Sequence, residues 1–184
     1  AAGWRIVNLM VAILLVGDEI LSGSVREANL HPMLTTLAEI GYAVGEVRIV
    51  RDEKSEIADA FRALRERYEY VISAGGGGPT HDDITVESAL DAFGVRAEEH
   101  PTMVAFLETR YENPLSPMVR KMALLPRGTE IIGCEDGRWP LIRWENVFIL
   151  PGLPRALVDK MRRLAALLPA QARIWSAELY LNAD

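Results

Sequence analysis

The stretch YVISAGGGGPTHDDITVESALDAFG, residues 70–94, decides the fold. Its first five residues are mainly apolar, which predicts a short buried strand from Tyr70 to Ala74. Four glycines follow at once. Residues 84–93 then carry apolar side chains at helical spacing, and Gly94 is typical of a helix end. The stretch is therefore a strand, a glycine loop and a helix in succession.

Strand and helix patterns alternate on both sides of this unit. The predicted strands are residues 10–16, 42–50, 129–133, 141–144, 147–150 and 173–181. The predicted helices are residues 29–40, 55–64, 102–111, 118–124 and an amphipathic segment after Pro154. This order predicts an α/β fold of three layers, in which a mostly parallel sheet carries helices on both faces. We interpret residues 1–184 as a single domain.

The composition fits a folded enzyme or binding domain. The chain has 184 residues, of which 49% are hydrophobic and 25% charged, and this argues against disorder. A formal net charge of −6 gives no general attraction to polyanions, so we expect no nucleic-acid partner. One cysteine cannot form an internal disulfide, and the three histidines and Cys134 do not match zinc-ligand spacings.

The apolar run before Val16 faintly resembles a signal peptide. A small-residue cleavage site is missing, and Asp18 and Glu19 follow at once. The run is also too short to span a bilayer. We therefore predict a buried first strand, a cytoplasmic protein and no membrane partner.

Four consecutive glycines directly after a strand have a physical use. Without a Cβ, they let a ligand approach the backbone, and successive N–H groups can point into one concavity that holds anionic oxygens. The following helix adds its positive N-terminal dipole. The functional hypothesis for residues 75–83 is a phosphate-binding loop. The alternative is a connecting turn in which Asp82 or Asp83 caps the helix.

Two common phosphate motifs do not match this loop. A P-loop ends in Gly-Lys-Ser/Thr, whereas Gly78 is followed by Pro79 and Thr80. The dinucleotide-binding fingerprint needs a third glycine where Thr80 stands. The loop is therefore neither a P-loop nor the loop of an ordinary nicotinamide-binding fold.

Residues 75–85, GGGGPTHDDIT, closely resemble the signature of the molybdopterin-binding domain superfamily. The form of the loop is most similar to the amino-terminal domain of CinA, the competence/damage-inducible protein A, and differs from that of Mog-type adenylyltransferases. Other family motifs match in order at residues 17–23, Asn29, Asp52, 122–126 and 150–154. The resemblance covers about residues 10 to 168. The chain departs from it at Glu27, where relatives usually carry Asp, and at residues 136–141.

Loops that follow parallel strands gather at the carboxyl end of the sheet, where ligands bind. We expect catalysis from Asp83, Asp18 and His81, with a divalent metal such as Mg²⁺ held by Asp83 and Asp18. The expected ligand-binding residues are Gly75, Gly76, Gly77, Gly78, Pro79, Thr80, Asp82, Ser22, Gly152 and Pro154. The structural alternative is that the carboxylates cap helices and that His81 is a loop residue oriented by Asp82.

Three functions follow from the resemblance. CinA-like relatives imply a metal-dependent hydrolase of nucleotide pyrophosphates such as ADP-ribose or FAD. Mog-type relatives imply a nucleotidyltransferase that activates molybdopterin, and the third function is a non-catalytic module that binds a phosphorylated pterin or nucleotide. We also expect a homo-oligomer, because relatives self-associate and Trp175, Leu179 and Tyr180 lie in an apolar terminal segment.

Overall fold

In the computed structural model, which describes residues 10–78, 83–134, 137–169 and 171, strands and helices alternate as the sequence predicts. The strands are β1 (Met10–Val16), β2 (Ala43–Val50), β3 (Tyr70–Ala74), β4 (Ala97–Glu99), β5 (Leu124–Pro126), β6 (Glu130–Ile132), β7 (Leu141–Trp144) and β8 (Val147–Leu150). The helices are α1 (Asp18–Leu21), α2 (Leu30–Glu39), α3 (Lys54–Arg67), α4 (Thr85–Phe93), α5 (Pro101–Glu108), α6 (Pro117–Lys121) and α7 (Pro154–Leu167).

Six of the strands form one mixed sheet in the order β2-β1-β3-β8-β7-β6. Strands β2, β1, β3 and β8 pair in parallel, whereas β7 pairs antiparallel with both β8 and β6. The mostly parallel α/β fold is thus confirmed. Because β1, β3 and β8 are adjacent and parallel, the loops that follow them leave the sheet at the same edge.

Strand β1 shows why the sheet is covered on both faces. Its residues 11–16 are all buried, and alternate side chains join two different apolar cores, as the two-residue period of a strand requires. One core contains buried side chains of α3, α4 and α5, and the other those of α2 and α7. The helices therefore form two outer layers around the sheet.

The structure corrects one predicted element and adds two short strands. The helix expected over residues 118–124 is α6, which ends at Lys121, and the chain then extends into β5. Strand β4, which pairs antiparallel with β5, has three exposed residues and therefore lacks the apolar pattern of a buried strand. Neither short strand was predicted.

Some predictions fall outside the residues that the structure describes. These are the terminal strand at 173–181 and the residues expected to support self-association, Trp175, Leu179 and Tyr180. Within the described ranges, no helix is long and apolar enough to cross a membrane.

Candidate functional site

The loops after β1, β3 and β8 are in direct contact. A Cβ added to Gly152 would lie 3.1 Å from the Cα of Gly75, and one added to Gly75 would clash with the carbonyl oxygen of Val16. Gly75 therefore lies between the ends of two neighbouring strands. This close packing brings the first loop, the glycine loop and the turn after β8 together at the carboxyl edge of the sheet.

The start of the glycine loop requires glycine. Gly75 and Gly76 have φ angles of 103° and 60°, which L side chains rarely adopt. The buried Thr85, first residue of α4, fixes both: its hydroxyl donates to the Gly75 carbonyl oxygen at 2.9 Å and its N–H to that of Gly76 at 3.0 Å. The loop is thus anchored at the helix start, whereas Gly77 has open space where a side chain would be.

Asp83 lies beside the glycine loop. Its Oδ2 is 2.7 Å from the position that a Cβ of Gly78 would take. Helix α4 begins at Thr85, and its N-cap residue, Ile84, makes no side-chain capping hydrogen bond. Asp83 is therefore not the N-cap residue of α4, and its carboxylate lies at the glycine loop, whereas Asp82 is outside the described residues.

The loop after β1 is tied to two others by hydrogen bonds. The backbone N–H of Asp18 donates to Asp52 Oδ2 at 2.9 Å, and Asn29 Nδ2 donates to the Gly152 carbonyl oxygen at 2.7 Å. The side chain of Ser22 makes local contacts, with Ser24 Oγ at 3.1 Å and the Glu19 carbonyl oxygen at 3.3 Å.

Glu27, where the chain departs from the family pattern, has a local structural role. Its carboxylate accepts hydrogen bonds from the backbone N–H groups of Asn29 and Leu30, at the start of α2. A carboxylate is favourable there because the N–H groups of a first helical turn lack partners within the helix. The longer side chain therefore still caps the helix.

A cavity of about 200 Å³ opens beside the glycine loop. Gly76, Gly77, Gly78, Asp83 and Pro151 line it, together with apolar side chains of α4, α5, α6 and the sheet. The other described residues predicted at the site, Gly75, Asp18, Ser22, Gly152 and Pro154, are not in its lining. Pro79, Thr80, His81 and Asp82 lie outside the described residues, so their roles stay predictions.

Two charged residues in the cavity wall were missed by the sequence analysis. Lys121 Nζ contacts Glu87 Oε2 at 2.7 Å, and Lys54 Nζ contacts Glu87 Oε1 at 2.9 Å. Hydrogen bonds from Lys121 and Lys54 lower the pKa of Glu87 to about 2, so the carboxylate is ionised at neutral pH. Both Glu87 and Lys121 line the cavity.

Helical spacing in the sequence indicates that Glu87 shares a face with Asp83. Lining residues Asp83, Val86, Glu87 and Leu90 follow the i, i+3, i+4, i+7 spacing of one helix face. The same rule relates residues 118, 121 and 122 of the facing segment. The sequence shows each face, but not that the two faces meet.

The two central tryptophans have different surroundings. Trp139 lines the cavity and contacts Phe106 edge-on, with ring centroids 5.3 Å apart. Trp144 is buried, stacks on Phe93 at 4.7 Å and donates its indole N–H to the Arg127 carbonyl oxygen at 3.2 Å. Trp139 is therefore available to contact a ligand, whereas Trp144 is part of the core.

The predicted metal site at Asp83 and Asp18 stays a prediction. Among the described residues, no group of three or more His, Cys, Asp or Glu side chains could hold a metal ion. Mg²⁺ is commonly held by one or two carboxylates, several waters and the phosphates of a substrate. The carboxylate of Asp83 beside the glycine loop fits that arrangement.

Comparison with known proteins identifies the family. Residues 12–170 match the family described as "Probable molybdopterin binding domain". The crystal structure of CinA from Thermoplasma acidophilum, a protein described as of unknown function, superposes with a TM-score of 0.79 at 30% identity. The match covers 86% of this chain and 96% of that one.

Two curated relatives are longer than this chain. A CinA-like protein of Syntrophotalea carbinolica is 35% identical over 162 residues, which cover 84% of this chain and 39% of that protein. A probable FAD synthase of Caenorhabditis briggsae is 31% identical over 166 residues, which cover 78% of this chain and 32% of that protein. With the fold and the glycine loop described above, these matches place the chain in the molybdopterin-binding domain family, as a CinA-like member.

Proposed function

We propose that this domain is a metal-dependent hydrolase of nucleotide pyrophosphates of the ADP-ribose or FAD class. The observation that carries the proposal is the cavity beside Gly76–Gly78, with the carboxylate of Asp83 at the same loop. An apolar cavity, a backbone phosphate site and a carboxylate are the three parts that such a substrate requires. Water would cleave the phosphoanhydride bond and give two phosphate monoesters.

The volume of the cavity suits one ring system of such a substrate better than the whole molecule. Its volume of about 200 Å³ is below the roughly 300–1,000 Å³ of pockets that enclose a drug-sized ligand. Apolar side chains and the ring of Trp139 line it, which suits a planar heterocycle. The glycine loop at its edge would then hold the phosphates through backbone N–H groups.

Electrostatics supports a divalent cation at this site. A carboxylate about 4 Å from a phosphate oxygen is repelled by about 4 kcal/mol at an effective dielectric constant near 20. Asp83, with Asp18 as the second candidate, would hold the cation. When bound, it would neutralise the phosphates and polarise the phosphoryl group.

The name of one relative agrees with a dinucleotide ligand. The Caenorhabditis briggsae relative is named a probable FAD synthase, and FAD contains the pyrophosphate that the proposal requires. This chain spans only 32% of that protein, so the activity in its name gives no direct assignment here.

The test is a product assay on the purified protein. ADP-ribose and FAD are incubated separately with Mg²⁺, Mn²⁺ or Co²⁺ or with a chelator, and products are separated by chromatography. The proposal expects AMP with ribose 5-phosphate, or AMP with FMN, only when a metal is present. Absence of both reactions under all three metals would refute it.

The same assay examines the two alternatives. ATP with molybdopterin tests the nucleotidyltransferase, which would release pyrophosphate and form an adenylylated pterin. Binding without any turnover would favour the non-catalytic module. The hydrolase is preferred because the sequence Thr80-His81-Asp82 in the loop resembles that of CinA-like relatives, and because the Asp83 carboxylate lies at the same loop.

A further inference from the structure

The wall of the cavity contains an ion pair in otherwise apolar surroundings. Glu87 on α4 and Lys121 on α6 face each other at 2.7 Å, and both line the cavity. Apolar side chains surround them, including Leu90, Met118 and Met122. In a mostly apolar pocket, a few polar groups fix the orientation of the ligand and select it.

The pair is too exposed to be explained as a stabilising contact alone. The side chains of Glu87 and Lys121 are 37% and 46% exposed, and ion pairs of that exposure contribute little to stability. Lys54 binds the other carboxylate oxygen but is not among the described residues of the cavity lining. Lys54 therefore holds Glu87 in place from outside the cavity, while Lys121 and Glu87 both line it.

Hydrogen-bonding capacity remains on both partners. An ammonium has three donors, and a carboxylate has about four acceptor positions. Lys121 uses one donor on Glu87, and Glu87 uses one position for each lysine. The wall thus presents a charged acceptor directly beside a charged donor.

We propose that Glu87 and Lys121 recognise the edge of an adenine ring, an inference that rests on the proposed function because ADP-ribose and FAD share adenine. The exocyclic amine donates to the Glu87 carboxylate, and the adjacent ring nitrogen N1 accepts from the Lys121 ammonium. Hypoxanthine reverses both groups: its carbonyl oxygen would face the carboxylate, and its N1–H would face the ammonium. The pair is therefore a specificity element for adenine over 6-oxopurines.

Binding is measured both in EDTA and with Mg²⁺, the type of cation that the proposed function requires, using nucleotides that need no turnover. Isothermal titration calorimetry compares ADP with IDP, which carries hypoxanthine, and with 1-deaza-ADP, which lacks the N1 acceptor. We expect ADP to bind about tenfold or more tightly than either analogue, because each loses a hydrogen bond to a charged group. Equal affinity for ADP and IDP, tighter binding of IDP, or no ADP binding with and without Mg²⁺ would overturn the proposal.

Two variants assign the contacts. Glu87→Gln replaces an acceptor with a group that can also donate, so the preference for ADP over IDP should fall to about twofold or reverse. Lys121→Met keeps the apolar stem and removes the donor, so ADP and 1-deaza-ADP should bind equally. If both variants keep the preferences of the wild-type protein, the assignment is wrong.

Asp91→Asn is the matched control. Asp91 contacts Lys54 at 2.8 Å and is not among the described residues that line the cavity. It weakens the same charge network without touching the ligand, so the ADP preference should stay unchanged. Loss of that preference in Asp91→Asn would show that the network acts through folding and would overturn direct recognition.

The binding measurements test adenine recognition separately from catalysis. Selective ADP binding without hydrolysis would refute the proposed function and leave this inference standing. Hydrolysis of dinucleotides without selectivity between adenine and hypoxanthine would support the proposed function and refute adenine recognition by Glu87 and Lys121.

Discussion

The side-chain amide of Asn29 donates a 2.7 Å hydrogen bond to the carbonyl oxygen of Gly152, a residue 123 positions later in the chain. The bond joins the loop after β1 to the turn after β8. Gly152 in turn packs against Gly75, so the Asn29 hydrogen bond also supports the start of the glycine loop. Asn29 and Gly152 thus connect three loops of the candidate site.

Asn29→Ala should lower the free energy of unfolding by about 1 kcal/mol and also weaken nucleotide binding. Asn146→Ala is the control, because Asn146 Nδ2 donates to the Tyr68 carbonyl oxygen at 3.3 Å, before the start of β3. Urea unfolding and calorimetric titration with ADP measure the two effects. If both variants lose stability and neither loses affinity, the Asn29 contact has no part in the site.

Asp83→Asn should abolish metal-dependent hydrolysis and leave the melting temperature within about 2 °C of the wild-type value, since Asp83 is not the N-cap residue of α4 and Asn can cap a helix as well as Asp. Asp59→Asn is the control. Asp59 is an exposed residue of α3 that pairs with Arg62. Turnover is followed by chromatography at saturating substrate and metal. Full activity in Asp83→Asn would remove this carboxylate from the mechanism.

Neighbouring glycines should respond differently to substitution. A Cβ at Gly77 meets no described atom within 4 Å, so Gly77→Val should fold normally and weaken ligand binding by blocking the approach to the backbone. Gly75→Ala should instead destabilise the fold by about 1–3 kcal/mol, because its φ of 103° is strained for alanine and its Cβ would clash with Val16. Thermal unfolding and ADP titration separate the two cases. Unchanged affinity in Gly77→Val would argue against ligand contact at this position.

The stability that Glu87 contributes should depend on pH in acid. The contacts with Lys121 and Lys54 lower its pKa in the folded protein from 4.5 to about 2. A carboxyl group with a lowered folded pKa stabilises the protein above its unfolded pKa and loses that effect as pH falls through the folded value. The difference in unfolding free energy between the wild-type protein and Glu87→Gln should therefore shrink between pH 4.5 and 2.

Urea unfolding at several pH values in that window measures this difference. Glu112→Gln, at an exposed position, is the control. A difference for Glu87→Gln that stays constant down to pH 2 would contradict the ion-pair explanation.

The sequence by itself determined the central unit of this protein. The strand Tyr70–Ala74 and the helix that ends before Gly94 were predicted from apolar spacing and glycine, because both features depend on residues a few positions apart. Alternation of such units also predicted the mostly parallel sheet. The succession of strand, glycine loop and helix also predicted that the loop lies at the carboxyl end of the parallel strands, and the structure has it there.

Only the tertiary structure decided what surrounds that loop. Lys121 meets Glu87 because α6 and α4 both border one cavity, and Asn29 meets Gly152 because β1 and β8 lie on either side of β3. The residues of each pair are 34 and 123 positions apart, so no local periodicity links them. The packing of the layers, which depends on the whole core, brings them into contact and thereby determines the walls of the site.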